Sequence, residues 1–475
     1  MKILFVKPPL NPKIFSYTRY EPLEFEYLAA AVPEHEVDIF DMRIEKNLMK
    51  KLRTFKPDLV GITAYTCDVN TSKRILKEIK IFNPGIKTVI GGHHATFVPS
   101  DFLESYIDTI FLSYADKSFK EYISALNNGG DLESVANIGL VKDSKILFTK
   151  RETNYLNLNS LPMPARHLTH KYYKKYHDSY AQKTALIMSS RGCPFRCTFC
   201  ACWKLMDGKY ATRNVESVVE ELKQIPPVSK IIDFSDDNTF HNIKRAWQLV
   251  EMIKAHKIDR KYKMYARADT IVKNPDLFES FREAGLEYLT VGLESIDDGG
   301  LKEINKKTSV KMNDEAIQIM KKLGIYVDAH LIVYPRFTKE DFSNLFQYVE
   351  DRCLFRNTFA VLTPLPGTDL YADNLKDLAI RDYDYFDFGH SIFKTHLGRK
   401  EFYKQLANLY RKAYAPGRII RYKLRHSRRV PENPDDFYAY NTDGFSFWVL
   451  VLMYIISVPY FIKMLNIHKS EPIRN

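Results

Sequence analysis

Cysteine is scarce in this chain, six in 475 residues, far too few for a disulfide-stapled secreted fold. Internal repeats and low-complexity tracts are missing, and the composition excludes a collagen-like or disordered chain. Long apolar runs are missing too, with one exception near the C-terminus, which excludes a polytopic membrane protein. The opening MKILFVKPPL holds a short apolar run followed by prolines, too short for the core of a signal peptide. With no export signal and with its thiols clustered, the chain is expected in the reducing cytosol. What is present is an ordinary globular balance of 45% hydrophobic, 13% aromatic and 27% charged residues. That is enough for full cores and, at this length, for two to four domains. The excess of 70 Lys+Arg over 58 Asp+Glu gives a net charge of +12, so an anionic partner, nucleic acid or membrane, has to be considered.

Residues 1–128 alternate short apolar runs with helical stretches. The expected strands are Lys2–Lys7, Glu36–Asp41, Leu59–Tyr65, Lys87–Gly91 and Thr109–Leu112. Such alternation implies an α/β domain, a doubly wound parallel sheet with its ligand crevice at the carboxyl ends of the strands. Residues 129–180 read as a linker with a hairpin at Gly139–Lys150 and the stretch LPMPARHL. A second alternation fills 181–375, with strands expected at Ala185–Ser190, Ile231–Ser235, Lys263–Ala268, Tyr288–Glu294, Val327–Tyr334 and Thr358–Thr363. Six strand–helix units suggest a partial (β/α)6 TIM-like barrel with its functional residues at the strand ends. Residues 376–432 read as a basic helical C-terminal region, and 433–475 as a spacer, an apolar segment and a tail.

Half of the cysteines, Cys193, Cys197 and Cys200, fall in RGCPFRCTFC, directly after the first barrel strand. Thiolates at this Cys-x3-Cys-x2-Cys spacing can hold three irons of a cubane 4Fe–4S cluster and leave the fourth open to an exogenous ligand. Structural zinc wants four N/S ligands, often in paired Cys-x2-Cys hooks. Cys202 stands too close to Cys200 to supply a fourth with good geometry. The chain here resembles the radical S-adenosylmethionine (SAM) superfamily, whose signature is this triad at this position. The resemblance implies that the open iron chelates the amino and carboxylate groups of SAM. One electron, from a reductase such as flavodoxin or ferredoxin, then cleaves SAM to a 5′-deoxyadenosyl radical that abstracts hydrogen from unactivated carbon. It also implies that Phe199 packs beside the cluster, and that Asp236, Asp237 and Asn238 in IDFSDDNTF face the cationic SAM ammonium. By the same resemblance Arg267 in YARAD meets the SAM carboxylate, and Glu294 and Ser295 in VGLES bond the ribose. The bland reading of each is a solvated loop charge.

The first module, with Thr63, Tyr65 and Thr66 in GITAYT and Gly91 and Gly92 in VIGGHHAT, resembles the cobalamin-binding domain. The two glycines would let the backbone approach the nucleotide tail. Two departures stand out. KPPLNPKIF replaces the Asp-x-His-x-x-Gly motif after the first strand, so the resemblance implies base-off cobalamin with no protein histidine as lower cobalt ligand. LSYAD stands after the fifth strand, where relatives often carry a Gly-Glu-Gly turn. His93 and His94 read as wall residues of the crevice.

Longer phrases, DLVGITAYTCDVN, GGHHATFVPSDF, ARADTIVKNPDLF, FAVLTPLPGTDLY and YFDFGHSIFKTHLGRKEFY, resemble the hopanoid C-3 methylase group among cobalamin-binding radical SAM enzymes. The resemblance runs from near the N-terminus to about residue 425. It implies a methyltransferase acting on an unactivated carbon of a lipid or other apolar, hopanoid- or terpenoid-like substrate. The substrate radical would attack methylcobalamin, and a second SAM would remethylate the cofactor. Ring formation, carbon–carbon coupling or oxidation is the alternative for the same architecture. His390, Tyr383, Tyr385 and Phe388 would line the substrate cavity or merely pack.

The charge is local. Arg399–Arg429 carries eleven Lys/Arg and one acidic residue, Glu401, nearly the whole net charge of the chain. After a spacer, Phe445–Ile462 runs eighteen residues without a charge, with Pro459 near its end. As a helix it would span roughly 27 Å, the thickness of a bilayer core. A polybasic stretch before an apolar one is a two-signal membrane attachment with its basic side in the cytosol. The catalytic modules are therefore expected on the cytoplasmic face of a membrane. A tRNA-modifying enzyme would carry a compact RNA-binding domain there instead, so no nucleic-acid partner is expected. A helix packed over the barrel is the other reading of 445–462.

Overall fold

Two sheets carry the fold in a computed structural model that describes residues 1–11, 13, 18–153, 157–415 and 417–418. The first contains β1 (Lys2–Lys7), β2 (Glu36–Asp41), β3 (Leu59–Thr63), β4 (Lys87–Gly91), β5 (Thr109–Phe111), β6 (Ile138–Lys142) and β7 (Lys145–Phe148), in the order β2-β1-β3-β4-β5-β6-β7. Strands β1 to β5 pair in parallel. The helices between and after them are α1 (Leu23–Ala30), α2 (Leu48–Phe55), α3 (Val69–Phe82), α4 (His93–Phe97) and α5 (Asp116–Asn128). Cover on both faces explains why β1 reads as a continuous apolar run, with Ile3, Leu4, Phe5 and Val6 all buried. The direction of winding reverses between β1 and β3, which opens a crevice at their carboxyl ends. The hairpin expected in the linker adds antiparallel to β5 and continues this sheet.

The second sheet has six parallel strands, β8 (Thr184–Ile187), β11 (Ile231–Phe234), β12 (Lys261–Ala266), β13 (Leu286–Glu294), β14 (Tyr326–Val333) and β15 (Arg356–Val361). A small ribbon, β9 (Ser190–Arg191) with β10 (Ala211–Thr212), intervenes after β8. Outward side chains such as Ile232, Phe234, Met264, Leu289, Val291 and Val327 pack under the helices. Inward ones are polar: the Lys263 ammonium lies 3.5 Å from both Asp233 and Asp328, and Arg356 lies 3.7 Å from Asp328. The tyrosine hydroxyl of Tyr20, from the first module, donates to Asp233 at 2.9 Å. An ionic plug thus fills the lower lumen and leaves the mouth as the way in.

The sheet ends on the edge strand β15, whose N–H groups would otherwise be an open template. Asn357 N–H donates to Tyr414 and Phe359 N–H to Tyr410, both at 3.1 Å, and Val361 N–H donates to the Phe388 carbonyl at 2.7 Å. Both tyrosines follow from one long C-terminal helix, Arg399–Ala413, which buries Phe402, Tyr403, Leu406 and Leu409 in the barrel core. The start of the basic stretch is therefore part of the barrel. Arg418, counted above among its cations, is buried, paired with Glu350 and bonded to the Val349, Leu354 and Ala413 carbonyls. Arg421, Lys423, Arg425, Arg428, Arg429 and the apolar segment 445–462 lie outside the described residues. Among the described residues no helix is long and apolar enough to cross a membrane.

One buried ionic cluster joins the two modules. Arg166, in the linker, pairs with Glu21 at 2.8 Å and Glu221 at 2.5 Å and stands 3.7 Å from Glu26. Arg213 pairs with the other oxygen of Glu221 at 2.5 Å and donates to Tyr27 at 2.9 Å. Glu26 and Tyr27 belong to α1, and Glu221 to the barrel helix Val215–Gln224. Three carboxylates face two guanidiniums, and the imbalance is relieved by a proton. Burial, and then the Glu21 carboxylate, push Glu26 up to about 8, and the Thr169 hydroxyl bonds it.

Removing Arg166 strands buried carboxylates, so Arg166→Ala is expected to cost about 3–5 kcal/mol in denaturant unfolding. Glu26 keeps in the folded chain a proton that it loses in the unfolded chain. Stability should therefore fall as pH rises from the ordinary glutamate range to about 8. Glu26→Gln should flatten that fall, and an unchanged slope would contradict the assignment.

Candidate active site between the two sheets

At the carboxyl ends of β3, β4 and β5 lies a cavity of about 220 Å³ whose wall comes from both modules. Thr63, Tyr65, Gly91, Gly92 and His93 line it, and the second module closes it with Arg191 and Leu205. Arg191 pairs with Asp116 and lies 4.2 Å above the Tyr114 ring, so the closure is ionic and aromatic at once. Gly92 adopts φ +103°, and a Cβ there would come within 2.7 Å of Thr63 Oγ1 and 2.8 Å of the Ala64 carbonyl. Only glycine fits this turn without displacing Thr63 and Ala64.

Two of the crevice residues expected from sequence lie elsewhere. His94 is buried, with its ring nitrogens bonded to Thr66 at 3.2 Å and Asp101 at 2.9 Å. Thr66 is buried with it, and neither belongs to the cavity wall. The two histidines open the short helix α4 rather than a loop, so one turns outward and the other inward. His93 meets Tyr65 edge-on at 5.2 Å. Desolvation of its ring in the crevice lowers its pKa from the ordinary histidine value, against the pull of Asp237.

The cysteine loop is pinned from several directions. Gly192, just before it, has φ +87° and passes so close to the Lys209 carbonyl that a Cβ would stand 2.2 Å away. Trp203 Nε1 donates to the Cys197 carbonyl at 3.2 Å, Asn305 to the Arg196 carbonyl at 2.7 Å, and Thr198 N–H to the Ile304 carbonyl at 3.1 Å. Burial raises the Cys193 and Cys197 thiols, while a hydrogen bond from Cys202 lowers Cys200. Among the described residues no three His, Cys, Asp or Glu side chains converge as they would on a single ion. Thiolates that each meet a separate iron of a cluster need not converge on a point. Cys193, Cys197 and Cys200, half-buried or buried on one loop, fit a cluster with one open iron, and Cys202 stands beside Cys200 as its hydrogen-bond partner. Phe199 packs with Ile332, Tyr334 and Leu362 at the barrel mouth.

The remaining sequence candidates separate into engaged and available groups. Asp236 is fully engaged: it accepts from Ser189 N–H at 2.7 Å, Ser190 N–H at 2.9 Å and the Ser189 hydroxyl at 2.6 Å. It builds the loop and is not free to meet an ammonium. Asp237 is exposed, accepts from Gly192 N–H at 2.7 Å and faces the first module. Asn238 reaches Cys193 Sγ at 3.8 Å. Arg267 stacks on Phe195 at 3.5 Å and donates to the Lys306 carbonyl at 2.8 Å. Glu294, at φ +62°, pairs with Lys306 at 2.7 Å, and Ser295 bonds Asp297 at 3.0 Å. Lys306, whose ammonium also neighbours Cys197, was not legible as a site residue. Neither was His330, which turns into the lumen from β14 beside Asp328. Polar residues at alternate positions of apolar strands, as in YVDAHLIV, were the available signal.

Residues 187–349 match the family model of the Radical SAM superfamily, and residues 16–123 match that of the B12 binding domain. Hopanoid C-3 methylase from Methylococcus capsulatus is 29% identical over 86% of this chain and 79% of its own length. Anaerobic magnesium-protoporphyrin IX monomethyl ester cyclase from Rubrivivax gelatinosus is 27% identical, over 80% of this chain and 69% of its own. The solved structure of the cobalamin-dependent S-adenosylmethionine radical enzyme OxsB with aqua-cobalamin bound covers 98% of this chain and 75% of its own, with a TM-score of 0.70 at 17% identity. That likeness establishes the fold.

The two halves of the site should fail independently. Gly92→Val should abolish the cobalamin absorbance of the purified protein and leave its iron and sulfide content intact. Cys197→Ala should do the reverse. Loss of both cofactors in either variant would contradict two separately built sites.

Proposed function

Because the chain belongs to the cobalamin-binding radical SAM enzymes, we propose that it is a C-methyltransferase acting on an unactivated carbon of a lipid or other apolar, hopanoid- or terpenoid-like molecule. The observation that carries this reading is the cavity whose wall is shared by the two modules. Its wall joins the glycine-lined turn of the first module to Arg191 and Leu205, which flank the three-cysteine loop in the sequence. When bound, the cluster with SAM supplies a hydrogen-abstracting radical, and cobalamin supplies a transferable methyl group.

The chain's own residues divide the remaining work. Cys193, Cys197 and Cys200 hold the cluster, and Asn238 steadies the first of them. Gly91, Gly92, Thr63, Tyr65 and His93 form the cradle. Glu294, Lys306, Arg267 and the exposed Asp237 surround the cysteine loop with charges of both signs, which suits the amino and carboxylate ends of SAM. The polar plug below and the Arg191–Asp116 closure at the side keep bulk water from the gap and direct entry to the mouth.

An apolar acceptor is supported by the likeness to a hopanoid methylase, and by the apolar group of Ile304, Ile332, Tyr334 and Leu362 next to Phe199. Attachment to the cytoplasmic face of a membrane through the C-terminal region rests on the sequence of residues 421–462. Electron supply by a flavodoxin- or ferredoxin-like reductase belongs to the same proposal. The cyclase among the relatives favours a second reading, in which the same architecture forms a ring or oxidises its substrate without transferring methyl.

Deleting the gene in its host should remove one methylated lipid from the total extract. Adding purified holoenzyme, methyl-labelled SAM and reductant to the extract should restore that lipid with the label. A restored product without label would contradict methylation and favour the second reading.

A further inference from the structure

Residues 382–390 tie the two modules together at the carboxyl ends of both sheets. Asn70 on α3 donates to Asp382 at 2.9 Å, and Asn11 donates to the Asp384 carbonyl at 3.0 Å. Tyr383 meets the buried His94 with ring centroids 4.6 Å apart. At the other end the Phe388 carbonyl accepts the N–H of Val361, the last residue of β15. The segment therefore spans from the loop after β3 to the mouth of the barrel.

Of its four candidate cavity residues, three pack. Tyr383 lies against His94, and Tyr385 and His390 are 2% and 1% exposed. Phe388 is 50% exposed. Its backbone sits at φ +63°, a region that a bulky side chain rarely adopts. The turn is held there by Asp387, whose carboxylate accepts from the Gly389 and His390 N–H groups and from His390 Nδ1, each at 2.9 Å. A phenyl ring is thus kept in water, against its hydrophobicity and against its backbone preference, by a buried hydrogen-bonded turn. Strain maintained in this way by its surroundings concentrates at ligand clamps. Leu362, the neighbour of Val361, belongs to the apolar group that includes Phe199, so the backbone of Phe388 is tied to the strand end that carries that group. Two other large apolar side chains are exposed at the carboxyl ends of the first sheet, Tyr65 after β3 and Leu10 after β1.

We propose that Phe388 is a specificity-determining residue, the apolar wall against which the acceptor packs as it enters the barrel mouth. The proposal rests on the apolar-acceptor reading above. A polycyclic or similarly flat apolar molecule would lie on the ring and gain from its rigidity, because the turn has already fixed the ring's direction.

The test uses cofactor-loaded Phe388→Gly and Phe388→Leu enzymes, with methyl-labelled SAM and the total lipid extract of the gene-deleted host in detergent micelles. Glycine relieves the positive φ and removes the ring. Its variant should keep or raise Tm, bind iron and cobalamin as before, and show an apparent KM for the lipid acceptor roughly tenfold higher. The leucine variant should fall between. A glycine variant with an unchanged KM overturns the proposal, and so does one with a clearly lower Tm, which would assign the ring to packing. If the unsubstituted enzyme labels no lipid, the apolar-acceptor reading itself fails and the proposal falls with it. Labelled lipid with an unchanged variant KM refutes the role of Phe388 alone.

Discussion

The arrangement depends on one interaction, the buried cluster of Arg166 and Arg213 with Glu21, Glu26 and Glu221. A gap between two modules is useful to a reaction only if its width is fixed, because a displacement of about 1 Å between reacting groups can cost two orders of magnitude in rate. Hydrophobic contact between modules resists separation but permits sliding. Guanidinium–carboxylate pairs are directional, and a buried one resists both. Arg166 reaches the first module through Glu21 and the barrel through Glu221 with the two ends of a single planar group. The linker is thereby the part that sets the geometry.

Everything at the site follows from the carboxyl ends that this clamp brings together. The first sheet contributes a glycine cradle after β4, the barrel contributes a cysteine loop after its first strand, and residues 382–390 bond to both modules. The ionic plug of Lys263, Asp233, Asp328 and Arg356 closes the barrel from below. Tyr410 of the C-terminal helix and Tyr414 just after it bond the backbone of the edge strand β15.

Much of this was legible in the sequence, for physical reasons. Buried parallel strands read as short apolar runs, and all six barrel strands begin within two residues of their expected positions, because few other structures permit such runs. The cysteine spacing stood out because it is local. The clamp was not legible: Arg166 and Glu21 are 145 residues apart, and Arg166 and Glu221 are 55 apart. A glutamate on a helix gives no local sign of whether it faces water or a distant arginine. Asp236 looked like a ligand contact because it follows a strand end, but its partners Ser189 and Ser190 come from the neighbouring strand's loop. His93 and His94 separated because consecutive residues on a helix point about 100° apart, and a five-residue helix leaves no periodic pattern to announce itself.

The central claim is that buried ion pairs hold the cobalamin cradle and the cysteine loop at one fixed separation. Dipolar coupling between cob(II)alamin and the reduced cluster, measured by electron paramagnetic resonance in the cofactor-loaded protein, reads that separation directly. The native chain should give a single well-defined coupling, and Arg166→Met, which keeps the bulk and removes the charge, should broaden it into a distribution. Identical couplings in the two proteins, or none in the native one, would contradict the claim.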